Sequence, residues 1–158
     1  MSFGRLFVWL QYAIPQHALS RLVLRATRIR WQWFKNWLVR SFLKLYTVDM
    51  TEAAESEPLR YGSFNEFFTR ALKADARAIA PDLNAIACPA DGVISEAGSI
   101  VGDTLLQAKG RRFTLGELLA ARPWASRFEG GSFATIYLAP FNYHRVHLPL
   151  RGQLKETV

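Results

Sequence analysis

Two of the chain's three histidines, His144 and His147, stand three residues apart in Phe133-Ala-Thr-Ile-Tyr-Leu-Ala-Pro-Phe-Asn-Tyr-His-Arg-Val-His-Leu-Pro149. Imidazole titrates near neutrality, so it can take and return a proton at working pH. A lone histidine in a strand is more often a hydrogen-bonded structural residue. A pair placed just past an apolar strand has the address of a reactive site, because a rigid element aims the side chains that follow it. Half of a zinc site is the competing chemistry. On a helix, residues i and i+3 share a face, whereas on a regular strand they point to opposite faces, and Arg145-Val146-His147-Leu148 reads as strand. No second cluster of Cys or His exists to complete a tetrahedral shell, so no metal centre is expected. Asp91, in Pro89-Ala90-Asp91-Gly92, is a carboxylate in a turn-forming dipeptide, and its ordinary role would be that of a turn residue. The single cysteine, Cys88, excludes an internal disulfide and fits a reducing compartment. It follows Ala85-Ile86-Ala87 and reads as a buried small hydrophobe rather than a nucleophile.

The elements that must position these groups are legible from pattern. Phe133 to Leu138 is rich in β-branched and aromatic residues and reads as a strand, stopped by Pro140 before a Phe-Asn-Tyr turn. Gly130-Gly131 turns the chain into it. Leu105 to Gly110 is a second short strand, and a further one reads from near Gln153 into Glu156-Thr157-Val158. Thr114-x-x-Glu117 and Ser63-Phe-Asn-Glu66 are capping boxes, the first opening a helix to about Ala121 and the second a short helix carrying Phe64, Phe67 and Phe68. Between Thr51 and Gly62, Glu52, Glu55, Glu57, Pro58 and Gly62 mark a linker. The expected organisation is α+β: helices over 1–50, a linker over 51–62, and a mostly antiparallel β-rich domain over 63–158.

At 158 residues, with 50% hydrophobic and 21% charged residues, the chain can bury a real core and is not disordered. Its formal charge of +7 is confined to the first third, where residues 1 to 50 carry eight Lys and Arg against Asp49 alone. Leu6 to Ile14, with Phe7 and Trp9, is apolar but far shorter than the roughly 20 residues that span a bilayer, and it makes a poor signal peptide. From Gln16 to Arg30 a helix carries Arg21, Arg25 and Arg28 as a cationic stripe. From Trp31 to Tyr46 a second helix gathers Phe34, Leu38, Phe42 and Leu45 on one side, flanked by Trp33 and Trp37, with Asn36, Arg40 and Lys44 opposite. Tryptophan beside Arg and Lys on amphipathic helices is the composition of a segment lying in a membrane interface. The alternatives are helices that pack on one another and a basic face for nucleic acid. A nucleic-acid face needs no such apolar reverse side, so nucleic acid is not the expected partner.

Several motifs together carry a resemblance. They are Pro89-Ala90-Asp91-Gly92, Leu106-Gln107-Ala108-Lys109-Gly110, Phe64-Asn65-Glu66-Phe67-Phe68 with Arg70, and Tyr137-Leu138-x-Pro140-x-x-Tyr143-His144-Arg145-Val146-His147-x-Pro149. Gln11-Tyr12-x-Ile14-Pro15 and Tyr46-x-Val48-Asp49-Met50 extend it to the amino terminus. In this order and spacing the chain resembles bacterial phosphatidylserine decarboxylases over essentially its whole length. Ala71 and Ala78 stand where that family usually has proline.

The resemblance implies a proenzyme that cuts itself at a Leu-Gly-Ser-Thr segment, the serine becoming a pyruvoyl group. That group would form a Schiff base with the amine of phosphatidylserine and act as the electron sink in decarboxylation. Asp91 and His147 match the residues that activate the cleavage serine, and His144 the histidine assigned to decarboxylation. The partners implied are an anionic phospholipid membrane on the cytoplasmic side, phosphatidylserine, a carboxyl-terminal pyruvoyl-bearing chain and, when complete, a second copy. The Gly-Ser pairs here (Gly62-Ser63, Gly98-Ser99, Gly131-Ser132) lack both the preceding Leu and the following Thr. The expectation is therefore the amino-terminal part of a proenzyme, inactive alone, with the pyruvoyl-forming serine beyond Val158 and no cofactor-binding residue within the chain. A non-catalytic membrane- or nucleic-acid-binding module with a structural His pair is the alternative.

Overall fold

A computed structural model describes residues 15–77, 82, 85–107 and 111–153. The chain divides into two compact units, with the boundary between Ala76 and Arg77.

The first unit contains the two expected long helices, α1 (Gln16–Thr27) and α2 (Gln32–Leu45). Pro15 starts α1, its carbonyl accepting from the N–H groups of Ala18 and Leu19, and none of the residues of α1 is buried. In α2 the buried positions are Lys35 and Val39, while Leu45 is 77% exposed. The packed face is thus rotated from the one the apolar pattern predicts. The cause is Lys35, whose apolar stem lies inside while its Nζ donates to the Leu59 carbonyl at 2.5 Å. The Phe42 ring then meets Phe64, Phe67 and Phe68, with centroids 5.4 to 5.9 Å apart.

Those phenylalanines belong to α3 (Phe64–Phe68). Ser63 caps it as expected, accepting from the Glu66 N–H at 3.2 Å. The Glu66 carboxylate reaches back one residue further than a capping box requires. It accepts from the Gly62 N–H at 3.0 Å and from Arg30 at 2.5 Å. Fully buried Phe67 and Val39 centre this core, each contributing on the order of 1.5–3 kcal/mol by burial. Arg70 is buried at its edge. Desolvation lowers the affinity of its guanidinium for the proton, opposed by Tyr61 and Asp49 nearby.

Two expectations are corrected here. Thr51–Gly62 is no tether: Ala53 is fully buried and bridges to Leu72, and Pro58–Arg60 forms a 3₁₀ turn. The Ser63 helix belongs to the first unit rather than opening the β-rich one, because its aromatic face finds its burial on α2.

In the second unit, β1 (Val93–Ser99) pairs antiparallel with β4 (Ser132–Tyr137), from Val93 opposite Tyr137 to Ser99 opposite Ser132, with an irregularity between Ile94 and Glu96. The strands β2 (Thr104–Gln107) and β3 (Arg111–Thr114) form a second antiparallel pair. The Thr114–Glu117 capping box is complete and opens α4 (Leu115–Leu118). Ile100, Leu115 and Ala125 form the core, with Leu119 and Phe133 against it. Gly130 has φ of +70°, a conformation glycine adopts without Cβ strain, and it turns the chain into β4. The α+β class and antiparallel pairing thus hold. The strand expected at Arg145–Leu148 does not form, for residues 143–148 carry no regular structure. The strand expected from near Gln153 to Val158 falls almost wholly on residues 154–158, outside the described ones.

Candidate active site

The end of β4 delivers the histidine loop. The Ala139 N–H donates to Asn142 Oδ1 at 2.7 Å, and the Asn142 N–H returns to the Ala139 carbonyl at 2.9 Å. This tight turn holds His144, whose Nε2 lies 3.0 Å from the same carbonyl. A carbonyl only accepts, so Nε2 carries the hydrogen when the ring is neutral, leaving Nδ1 as the basic nitrogen.

His147 is fixed at both backbone and ring. Its N–H donates to the Pro89 carbonyl at 2.8 Å, and the Ala87 N–H donates to the Pro149 carbonyl at 2.9 Å. These two bonds lay residues 147–149 against residues 87–89, immediately before Asp91. The His147 ring stacks on Tyr143, centroids 5.5 Å apart and planes inclined by 15°. Its Nε2 is 2.8 Å from the Tyr143 hydroxyl. Tyr143 itself is buried.

Asp91 is seated from the other side. Gly92 follows it, and a Cβ at Gly92 would lie 2.4 Å from the Tyr137 carbonyl oxygen and 2.8 Å from Ile136 Cγ2. Only glycine lets the turn approach the end of β4 this closely. The carboxylate is held by Arg77, with Nε donating to Oδ1 at 3.2 Å and Nη2 to Oδ2 at 2.5 Å, a bidentate charge-assisted pair. Cys88 is exposed, contrary to expectation, and its thiol donates to the Ala90 carbonyl.

The backbone therefore brings the Asp91 turn and the His147 segment together, as the triad expectation requires, but the side chains pair elsewhere: Asp91 with Arg77 and His147 with Tyr143. Sequence reasoning missed both of these partners as site residues. Tyr143 had a signal, a phenol four residues before His147 within one motif. Arg77 lies fourteen residues before Asp91 and nothing local announces it. The third member of the expected triad, a serine placed beyond Val158, has no counterpart among the described residues, and Val158 itself lies outside them.

The other expected group lies in the first unit. Arg21, Arg25, Arg28, Trp33, Trp37, Arg40 and Lys44 are all exposed, while Phe7 and Trp9 lie outside the described residues. Trp33, Trp37, Arg40, Ser41, Leu43 and Lys44 line a shallow groove on α2. Among the described residues no helix is long and apolar enough to cross a membrane.

A family model described as phosphatidylserine decarboxylase matches residues 64–158, and a second, described as PSD, matches residues 6–47. The chain belongs to the phosphatidylserine decarboxylase family. Curated relatives named phosphatidylserine decarboxylase proenzyme include that of Methylococcus capsulatus, 53% identical over 151 residues, 95% of this chain and 52% of the relative. The relative from Alkalilimnicola ehrlichii is 50% identical over 94% of this chain and 52% of its own length. That from Saccharophagus degradans is 52% identical over 96% and 53%. The chain thus spans about half the length of the curated relatives it matches. The first family match takes in Asp91, His144 and His147 and runs to Val158, and the second takes in both long helices up to Leu45 and Tyr46.

Proposed function

We propose that this chain supplies the acid–base groups and the membrane-docking surface of a phosphatidylserine decarboxylase. The observation that carries the reading is the pair of backbone bonds joining 147–149 to 87–89, which sets His147 beside the turn bearing Asp91. In this reading His147 is the base that takes the proton of the cleavage serine, Asp91 is the carboxylate that orients it, and His144 manages the proton of the decarboxylation step. That serine belongs to a Leu-Gly-Ser-Thr segment that the sequence from Met1 to Val158 does not contain. The chain alone is therefore inactive in this reading.

The chemistry of the donor set fits a pyruvoyl group. When bound, such a group supplies a carbonyl that condenses with the substrate amine and withdraws electrons as carbon dioxide leaves. A lysine beside it would compete with that amine. Among the described residues of the second unit there is no lysine, and the cations are arginines; Lys109 and Lys155 lie outside them. The groups at the site are two imidazoles, a phenol and a carboxylate paired with Arg77, which move and hold protons, together with the Cys88 thiol, which donates to the Ala90 carbonyl. His144, its Nε2 held by the Ala139 carbonyl, can carry a proton to a carbanionic carbon.

The substrate resides in a bilayer, and the first unit is suited to meet one. Exposed Trp33 and Trp37 beside Arg40 and Lys44 combine interfacial aromatics with cations for anionic headgroups. Association with the cytoplasmic face as a peripheral protein, and assembly with a pyruvoyl-bearing chain and a second copy, complete the reading. The test is release of labelled carbon dioxide from phosphatidylserine by the full-length proenzyme, compared with His144→Ala. The reading expects turnover in the first and a loss of about 10² to 10⁴ in the second. Absence of turnover by the full-length protein, or full turnover by His144→Ala, contradicts it.

A further inference from the structure

The Tyr143–His147 contact decides which nitrogen of His147 carries the hydrogen. The Tyr143 hydroxyl is 2.8 Å from Nε2, and Tyr143 is 8% exposed. A buried phenol keeps a partner for its hydrogen. If Nε2–H donated to the phenol oxygen, the phenol hydrogen would have no acceptor among the described residues. If the phenol donates to Nε2, the contact is satisfied, and it joins the better donor to the better acceptor. The neutral imidazole then bears its hydrogen on Nδ1. That nitrogen has no partner among the described residues, and His147 is exposed.

This is the tautomer a serine triad needs. There the carboxylate takes Nδ1–H and the serine hydroxyl donates to Nε2. The phenol occupies at Nε2 the position that the serine hydroxyl must take. The stacked ring also fixes the plane of the imidazole, and the Pro89 carbonyl fixes its backbone. We propose that Tyr143 is a positioning residue for self-cleavage, its hydroxyl holding His147 at Nε2 in the Nδ1–H tautomer until the serine hydroxyl replaces it. The inference rests on the reading of His147 as the base.

The experiment uses the full-length proenzyme. Tyr143→Phe keeps the stacked ring and removes only the hydroxyl. Its self-cleavage, followed on a denaturing gel, should slow about 2- to 10-fold, the kinetic equivalent of one hydrogen bond. A readout that mere packing would not move comes from ¹⁵N chemical shifts of the His147 imidazole in a precursor whose cleavage serine is replaced by alanine. These should report Nδ1–H with Tyr143 present and a shift toward Nε2–H in Tyr143→Phe. An Nε2–H signature with Tyr143 present, or cleavage of Tyr143→Phe at the unmodified rate, overturns the inference. Should Tyr143→Phe fail to fold, the spectrum with Tyr143 present decides alone. His147→Ala separates the two claims. If it is cut normally, the reading of His147 as base fails; if it stays uncut while Tyr143→Phe is cut at the unmodified rate, only the role of Tyr143 fails.

Discussion

Replacing Gly92 by alanine strikes the contact that seats Asp91. The added methyl would stand 2.4 Å from the Tyr137 carbonyl oxygen and 2.8 Å from Ile136 Cγ2. The first of these is backbone, already committed to the β1–β4 pairing in which Val93 faces Tyr137. It cannot swing aside as a side chain would. An ordinary contact begins near 3.4 Å, so the turn must retreat by about 1 Å. Overpacking of this kind costs about 1–3 kcal/mol, which in a chain of this size lowers the melting temperature by about 2–4 °C for each kcal/mol. The displacement also moves Asp91, and a 1 Å error in a reacting constellation costs about 10²-fold in rate. Gly98→Ala is the matched control on β1. Its methyl would meet only Phe133 Cε1, at 3.5 Å, and alanine is better than glycine within a strand by about 0.5–1 kcal/mol. Urea unfolding and a self-cleavage time course on full-length protein test both. Gly92→Ala should lose stability and cleave slowly, whereas Gly98→Ala should do neither. A Gly92→Ala protein that is as stable as the parent and cleaves as fast would refute the close-approach argument.

Phe67→Ala empties the centre of the first core, where Phe67 is fully buried against Phe42, Tyr61 and Phe64, and should cost about 3–5 kcal/mol in urea unfolding. Thr114→Ala removes the hydroxyl half of the α4 capping box, leaving the bond from the Thr114 backbone N–H to the Glu117 carboxylate, and should cost about 1 kcal/mol. The hydrogen bonds from the Thr114 backbone and hydroxyl hold the Glu117 carboxyl below its usual range. Their contribution is therefore complete above the unfolded carboxyl value of about 4.3 and fades as pH falls through the folded one. An NMR titration of Glu117 should move up toward the free value in Thr114→Ala. Arg40→Gln with Lys44→Gln should weaken co-sedimentation with phosphatidylglycerol vesicles by about 1 kcal/mol per charge at low salt. Trp33→Ala with Trp37→Ala should weaken it at all salt concentrations, and binding unchanged by either pair would make α2 a packing element only.

What the sequence made legible is what neighbouring residues determine. Thr114 and Glu117 are three apart, so their reciprocal bonds can be read directly, and the same holds for the Ser63 half of its cap. Pro140 and Asn142 marked the turn that holds His144. The packed face of α2 was not legible, because Lys35 reads as a solvent-facing cation until Leu59, twenty-four residues away, offers its carbonyl. The Phe-rich helix after Ser63 was assigned to the wrong unit for a similar reason: its amphipathic pattern says that it buries a face, not which element receives it. At the site, the motifs named Asp91, His144 and His147, but not the bidentate grip of Arg77 or the stacking of Tyr143. Both depend on how the turn at 89–92 meets the loop after β4, and no local spacing encodes that meeting.

The most direct test of the account is self-cleavage of the full-length proenzyme in three variants, read as one band or two on a denaturing gel. Loss of the orienting carboxylate or of the base in a serine triad costs about 10⁴-fold, so Asp91→Asn and His147→Ala should remain a single uncut chain. His144→Ala should be cut into two chains like the parent. A His147→Ala protein that matures normally beside an uncut His144→Ala would contradict the assignment of the two histidines.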